Sequence, residues 1–289
     1  MLPPDIQNLT EDTSIALAEA IQFAEIATSL ADQPIPTSYV CQGSGPPLLL
    51  VHGFDSSLFE FRRLVPRLAE YFQVWVVDLL GFGFTDRTVV SAYSPGAIKR
   101  HLYHFWQQMI AQPVGLGGAS MGGAAAIDFG LTYPEAVSKL VLFDSAGFAA
   151  GPAIGKVMFP PLDSWATAFL KNPGVRRRIS QQAYCDRTLV TPDAELCASL
   201  HLQAPQWKEA LISFTKSGGY NFLSQKIKDI STPTLVIWGE QDKILGTQDA
   251  QKFQKTVPDS QLVWIPECGH VPHLEKPQAT AEYMIEFVL

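Results

Sequence analysis

A doubly wound, mostly parallel α/β sheet with an inserted helical cap is the fold that this 289-residue sequence predicts. Three observations point to it. Short apolar runs recur between turns: "TSYVCQ" (37–42), "PLLLVHG" (47–53), "QVWVVDLLG" (73–81), "PVGLGGAS" (113–120), "KLVLFDSAG" (139–147), "PTLVIWGEQD" (233–242) and "QLVWIPECGH" (261–270). Most lack polar alternation, as strands buried on both faces of a parallel sheet do. Helical patterns lie between several of them, over 58–71, 95–111, 121–133, 247–256 and 277–288, which gives a strand–helix–strand alternation. The rhythm then breaks once, because no strand-like run occurs between Gly147 and Ser231.

That break sets the domain organisation. Residues 36–147 and 231–289 read as the α/β core and 148–230 as a helical cap insertion. Composition shifts with it: residues 151–232 hold ten Lys/Arg and six Asp/Glu, a net +4, which leaves −11 for the remainder of a chain whose total is −7. Residues 1–35 read as an N-terminal helical extension. Within them "EDTSIALAEAIQFAEIATSLA" (11–31) places Ala16, Ala20, Phe23, Ala27 and Leu30 at three-to-four spacing, and "QPIP" stops the pattern.

Composition excludes several classes of function. Hydrophobic residues make up 47% and charged residues 17%, the balance of a packed globular chain. A net charge of −7 exerts no general pull on nucleic acid. Cys41, Cys185, Cys197 and Cys268 are far apart and form no CxxC, so neither a zinc site nor a disulfide framework is expected, and a reducing compartment is. The opening "MLPPDIQNLTED" lacks the basic and apolar regions of a signal peptide, and no uncharged apolar run reaches the ~18 residues of a membrane span. The expectation is a cytoplasmic protein with no cofactor, metal, nucleic acid or membrane span.

The chemistry centres on "GLGGASMGGAAA" (115–126). Ser120 stands where a strand runs directly into a helix. A serine on that sharp turn holds a strained backbone, and the residues two before and two after it must be tiny. Gly118 and Gly122 meet the requirement, and the helix N-terminus directs N–H groups toward an anion formed at the serine. A nucleophilic serine needs a base, and the base a carboxylate. Of six histidines, His270 follows the last strand-like run, in "ECGHVPHLEKP". Asp242 follows the run before it, in "WGEQDKI". Both lie at carboxyl ends of strands, where ligands bind in open α/β sheets. His273 competes as base and Asp144, also at a strand end, competes as acid; His270 and Asp242 are preferred. His101 and His104 share a helix face. Backbone N–H groups of Phe54, after "VHG", and Met121 are candidates for holding an oxyanion, and the His52 side chain reads as a loop brace. "DLLGFGFTDR" (78–87) lacks the Gly-Lys-Ser/Thr of a phosphate loop, and Ser120 occupies the third glycine position of a dinucleotide fingerprint.

The segments "LLLVHGFDSSLFEFRRLVPRL", "VVDLLGFGFTDR", "GGASMGGAAA", "LVIWGEQD" and "IPECGHVPHLEKP", in this order, resemble the α/β-hydrolase fold superfamily, in its capped, single-chain, serine type. The resemblance runs from about Tyr39 to the C-terminus. It implies Ser120 as nucleophile, His270 as base, Asp242 as acid, backbone donors at Phe54 and Met121, and no cofactor. The serine separates the chain from relatives with an aspartate nucleophile, such as haloalkane dehalogenases and epoxide hydrolases. Two departures stand out: Thr85 occupies a position where relatives often have serine, and the N-terminal helix stands where many have an extra hairpin, so the first strands are expected to be reduced.

Aromatic residues crowd the strand-end loops (Phe54, Phe82, Phe84, Phe148) and the insertion (Phe159, Trp165, Phe169, Trp207). Phe148, Trp165 and Trp207 are the candidate pocket residues, and an apolar pocket with few polar groups suits a small ligand. The "VRRR" run (175–178) reads either as a solvated helix face or as an attractor of an anionic substrate group. The leading expectation is a serine hydrolase of a small or medium apolar carboxylic ester. The alternatives are a C–C bond hydrolase, a thioesterase or a cofactor-free lyase with the same triad, and a slow-turnover ligand receptor on the same fold.

Overall fold

The computed structural model describes residues 2–148 and 162–289, so Phe159 and the first part of the predicted cap lie outside the described residues. Among the described residues, eight strands form one sheet: β1 Gln22–Ile26, β2 Ile35–Gln42, β3 Pro47–Val51, β4 Gln73–Val77, β5 Val114–Ala119, β6 Val137–Phe143, β7 Thr234–Gly239 and β8 Ser260–Ile265. Their spatial order is β1-β2-β4-β3-β5-β6-β7-β8. β1 and β2 pair antiparallel, as do β2 and β4, and every later pair is parallel. Seven of these strands match the apolar runs of the sequence.

The helices are α1 Asp12–Glu19, α2 Val65–Leu68, α3 Pro95–Met109, α4 Met121–Thr132, α5 Leu162–Lys171, α6 Pro173–Ala183, α7 Pro192–Cys197, α8 Trp207–Lys216, α9 Gln248–Thr256, α10 Pro272–Glu275 and α11 Pro277–Val288. α5 to α8 fall in the interval between β6 and β7 that lacks strand patterns. No helix among the described residues is long and apolar enough to cross a membrane. All four cysteines are free thiols.

The strands are apolar throughout because alternate side chains feed two cores. Leu49, Val51, Trp75, Val77, Val236 and Trp238 pack on one face with α3, α4 and α9. Their neighbours Leu48, Leu50, Val74, Val76, Leu235 and Ile237 pack on the other with α2 and α11. Chain order reverses between β3 and β5, so a crevice opens at their carboxyl ends.

The N-terminus departs from its sequence pattern. The expected helix over 11–31 ends at Glu19, and Gln22–Ile26 forms an edge strand. The stripe was built mainly of alanines, which bury little apolar area and anchor a helix weakly. Antiparallel pairing with β2 instead buries Ile26 opposite Ile35 and lets the Tyr39 hydroxyl donate to Gln22 Oε1 at 3.0 Å. The first strands are therefore present as a hairpin, not reduced. The pattern over 58–71 is likewise two short pieces, a 3₁₀ turn Leu58–Phe61 and α2.

Candidate active site

Ser120 sits at the junction of β5 and α4 with φ 52° and ψ −117°, a conformation that non-glycine residues rarely adopt. Hydrogen bonds on both sides hold it there. Its N–H donates to Phe143 O at 2.9 Å, and its carbonyl accepts from Gly123 N and Ala146 N at 3.0 Å each. The glycines around it are close-approach sites. A Cβ at Gly122 would collide with the carbonyls of Val51 and His52, and one at Gly118 with the Gly122 carbonyl. The elbow is thus wedged between two strand ends and cannot relax.

His270 and Asp242 arrive on the loops after β8 and β7, which are tied to each other. Gln241 N donates to Cys268 O and Cys268 N to Gln241 Oε1, each at 2.9 Å. His270 Nδ1 lies 2.9 Å from Asp242 Oδ2. The second Asp242 oxygen accepts from Ile244 N at 2.7 Å and Leu245 N at 3.1 Å. With both oxygens bonded to donors, the carboxylate orients the ring and fixes the Nδ1–H tautomer.

Asp144 stands behind this pair with φ 39° and no exposure, its Oδ1 accepting from Gly239 N at 3.1 Å. Burial, reinforced by the Asp242 charge, pushes its carboxyl well above the usual range, which favours the neutral form. The carboxylate in contact with His270 is Asp242, not Asp144. Ligand atoms of Asp144, Asp242 and His270 lie within 4.8 Å of one another. The bonds just described engage these donors with one another and with backbone N–H groups.

The β3 loop reaches the same place. A Cβ on Gly53 would touch the Ser120 Cβ at 3.4 Å. Glu60 Oε2 accepts from Gly53 N at 2.7 Å. Burial would raise the Glu60 pKa, but His273, 3.2 Å from Oε1, and His52 pull it down to about 2. An anionic Glu60 therefore pins the loop. His52 braces it as expected, with Nδ1 2.8 Å from Gly53 O and Nε2 accepting from Leu79 N at 3.1 Å. Phe54 N and Met121 N have no hydrogen-bond acceptor among the described residues. As the first residue of α4, Met121 has no intrahelical acceptor for its N–H.

Asp55, with φ 50°, joins this loop to the segment between β6 and β7. Its carboxylate accepts from Arg176 Nη1 at 2.5 Å and Trp207 Nε1 at 2.7 Å, and His201 Nε2 lies 3.2 Å away. Burial works against the charge, yet these partners hold the Asp55 pKa below its ordinary value. A second tie uses Glu275, which accepts from Cys185 N, Asp186 N and Gly269 N at 3.0, 2.7 and 2.9 Å.

A cavity of about 300 Å³ lies at this junction, lined by residues that include both Ser120 and His270. Its apolar walls include Phe54, Phe59, Leu170, Ile179, Val271 and Leu274. The three expected pocket residues are not among them. Phe148 packs against Phe253 at 4.8 Å between ring centroids, Trp165 is 66% exposed on α5, and Trp207 is buried as an Asp55 donor. Crowding in the strand-end loops and the insertion marked these aromatics but not the face each presents. The "VRRR" run divides too: Arg176 clasps Asp55, while Arg177 reaches Glu195 at the surface. Asp55, Glu60 and Glu275 were missed as site residues. Their signal was proximity alone, since each lies within a few residues of Phe54 or His270.

Comparison with known proteins agrees with this architecture. A family model described as the alpha/beta hydrolase family matches residues 48–283. An alpha/beta hydrolase domain-containing protein, VTE7, of Arabidopsis thaliana is 32% identical across 99% of this chain and 89% of its own length. The 2-hydroxy-6-oxo-6-(2'-aminophenyl)hexa-2,4-dienoic acid hydrolase of Metapseudomonas resinovorans is 29% identical over 88% of each chain. A thermophilic esterase from Thermogutta terrifontis superposes with a TM-score of 0.79 at 25% identity, over 92% of this chain and 98% of the esterase. A parallel sheet reversing at β3 and β5, a serine elbow at that reversal and a match over most of the chain lead to one assignment: the chain belongs to the alpha/beta hydrolase family and is a hydrolase.

Proposed function

We propose that this hydrolase is a serine enzyme that cleaves carboxylic esters with a small or medium apolar acyl group through an acyl-enzyme on Ser120. The carrying observation is one cavity lined by a serine at φ 52° on a strand–helix elbow and by a histidine whose Nδ1 lies 2.9 Å from a buried carboxylate. In this reading His270 Nε2 takes the Ser120 proton as Oγ attacks the ester carbonyl. The N–H groups of Phe54 and Met121 donate to the oxyanion, and Asp242 stabilises the imidazolium. His270 then gives the proton to the departing alkoxide. Water, activated by the same histidine, releases the acid and restores Ser120. Residues 148–230 serve as the cap, with Leu170 and Ile179 contributing apolar wall to the cavity that Ser120 lines. A cytoplasmic location and a small-molecule, ester-like substrate belong to the same proposal.

Activity profiling on 4-nitrophenyl esters of increasing acyl length, with Ser120→Ala as control, tests it. A fluorophosphonate should label the wild type and not Ser120→Ala; equal labelling of both would remove Ser120 as nucleophile. A second reading, C–C bond hydrolysis with the same residues, is favoured by the similarity to the dienoic acid hydrolase. Turnover of a vinylogous 1,5-diketone with none of simple esters would select it.

A further inference from the structure

Arg62 ends the 3₁₀ turn Leu58–Phe61 and is 2% exposed, yet it lines the same cavity as Ser120 and His270. Among the described residues its guanidinium makes one hydrogen bond, from Nη1 to Phe59 O at 3.3 Å. Nε and Nη2 are buried and, among the described residues, have no acceptor within hydrogen-bond geometry. These two nitrogens form the side edge of the guanidinium, whose parallel N–H groups match the two oxygens of a carboxylate.

The acidic neighbours do not fill that edge. Glu11 Oε2 is 3.9 Å from Nη2, beyond hydrogen-bond reach. Both Glu11 oxygens are taken by Arg63, at 2.6 and 2.8 Å, and Oε1 also accepts from Thr13. Asp193 accepts from Thr10 N, Glu11 N and Ser14 Oγ, at 2.6, 3.0 and 2.6 Å. Within the cavity wall, Asp55 is held by the insertion and Glu60 by Gly53 and His273. Tyr184, another lining residue, places its phenol beside the guanidinium. A buried charged donor without an acceptor is costly, and a bound anion is the occupant that relieves it.

We propose that Arg62, with Tyr184 beside it, is the anion subsite of the catalytic cavity, and that the preferred substrates are esters carrying a second, ionised carboxylate remote from the scissile carbonyl. This rests on Ser120 and His270 acting as proposed above and specifies their substrate class. The apolar wall then contacts the chain between the two acid groups.

The test compares 4-nitrophenyl monoesters of succinate, glutarate and adipate with neutral 4-nitrophenyl esters of equal length. In wild type, kcat/KM should favour the carboxylate at one chain length by about tenfold or more. The ratio should fall at least tenfold in Arg62→Met, mainly through KM, and recover partly in Arg62→Lys. In Ser120→Ala, free glutarate or adipate should raise the Tm, and adding Arg62→Met should abolish that rise. A wild-type ratio near one at every length, or equal loss on both series in Arg62→Met, overturns the subsite. If Arg62→Met does not fold, the wild-type ratio and the dicarboxylate-induced Tm rise in Ser120→Ala still decide. Dicarboxylate binding without fluorophosphonate labelling would keep the subsite and reject the nucleophile.

Discussion

At Ser120 a residue with a Cβ occupies a backbone state that favours glycine, and its environment leaves it no alternative. The two buried aspartates nearby show how position assigns different protonation states to one residue type. Asp242 accepts three hydrogen-bond contacts, two from backbone N–H groups and one from the histidine. Among the described residues Asp144 accepts one, from Gly239 N, and its Oδ2 is buried without a partner. Two adjacent buried carboxylates cannot both ionise cheaply, and Asp144, with fewer donors, is the one that burial and its neighbour push toward the neutral form. An amide therefore replaces Asp144 with little electrostatic change, but at Asp242 it removes the counter-charge to the imidazolium. Asp242→Asn should lower kcat by about 10³–10⁴-fold. Asp144→Asn should stay within about tenfold of wild type. Steady-state kinetics on one 4-nitrophenyl ester decides; the reverse ranking would make Asp144 the working acid.

Among the elements, the loop after β3 is the part that joins the Ser120 elbow to the helices between β6 and β7. Its Gly53 comes up against the Ser120 side chain, and Asp55, two residues on, is clasped by Arg176, His201 and Trp207 from the segment between β6 and β7. Asp55→Asn leaves the Arg176 guanidinium, 16% exposed, without its counter-charge. A loss of about 2–3 kcal/mol in unfolding free energy is expected. kcat/KM should fall as well, because the Phe54 N–H loses its fixed position. Adding Arg176→Met should restore part of the stability, and the double-mutant cycle should return a coupling of about 1–3 kcal/mol. Simple additivity would mean that the clasp does not act as a unit. How far such parts were legible depended on range. Seven strands, the elbow and the strand-end positions of Asp242 and His270 rest on local patterns of apolar runs and glycines. The clasp does not, since Asp55 and Trp207 are 152 residues apart and no local rule pairs them. Neither did the alanine stripe of 11–31 reveal that Ile26 had a better partner in Ile35 across a hairpin.

On the scale of the whole molecule, stability in acid is set partly by a histidine far from the chemistry. His101 lies on α3, fully buried, with Nε2 2.8 Å from Thr37 Oγ1. The Thr37 hydroxyl donates to Ile35 O at 2.9 Å, so the histidine Nε2–H must be the donor to Thr37. Burial, with a smaller push from His104, lowers its pKa from 6.5 to about 3. The sign follows from proton counts. Between these values the unfolded chain binds a proton that the folded chain refuses, so folding loses stability as pH falls below about 6.5. Each pH unit in that window costs up to about 1.4 kcal/mol from this one residue. The loss stops near pH 3, where the folded state also takes the proton. His101→Gln keeps a donor toward Thr37 and removes the titration. Urea unfolding at about pH 7.5 and about pH 5 should therefore show the wild type losing roughly 2 kcal/mol more than the variant across that interval. Because the other ionisable groups are common to both proteins, their contributions cancel in the difference. Equal losses would place a charged histidine in the folded state, which its hydrogen bond to Thr37 alone could not sustain.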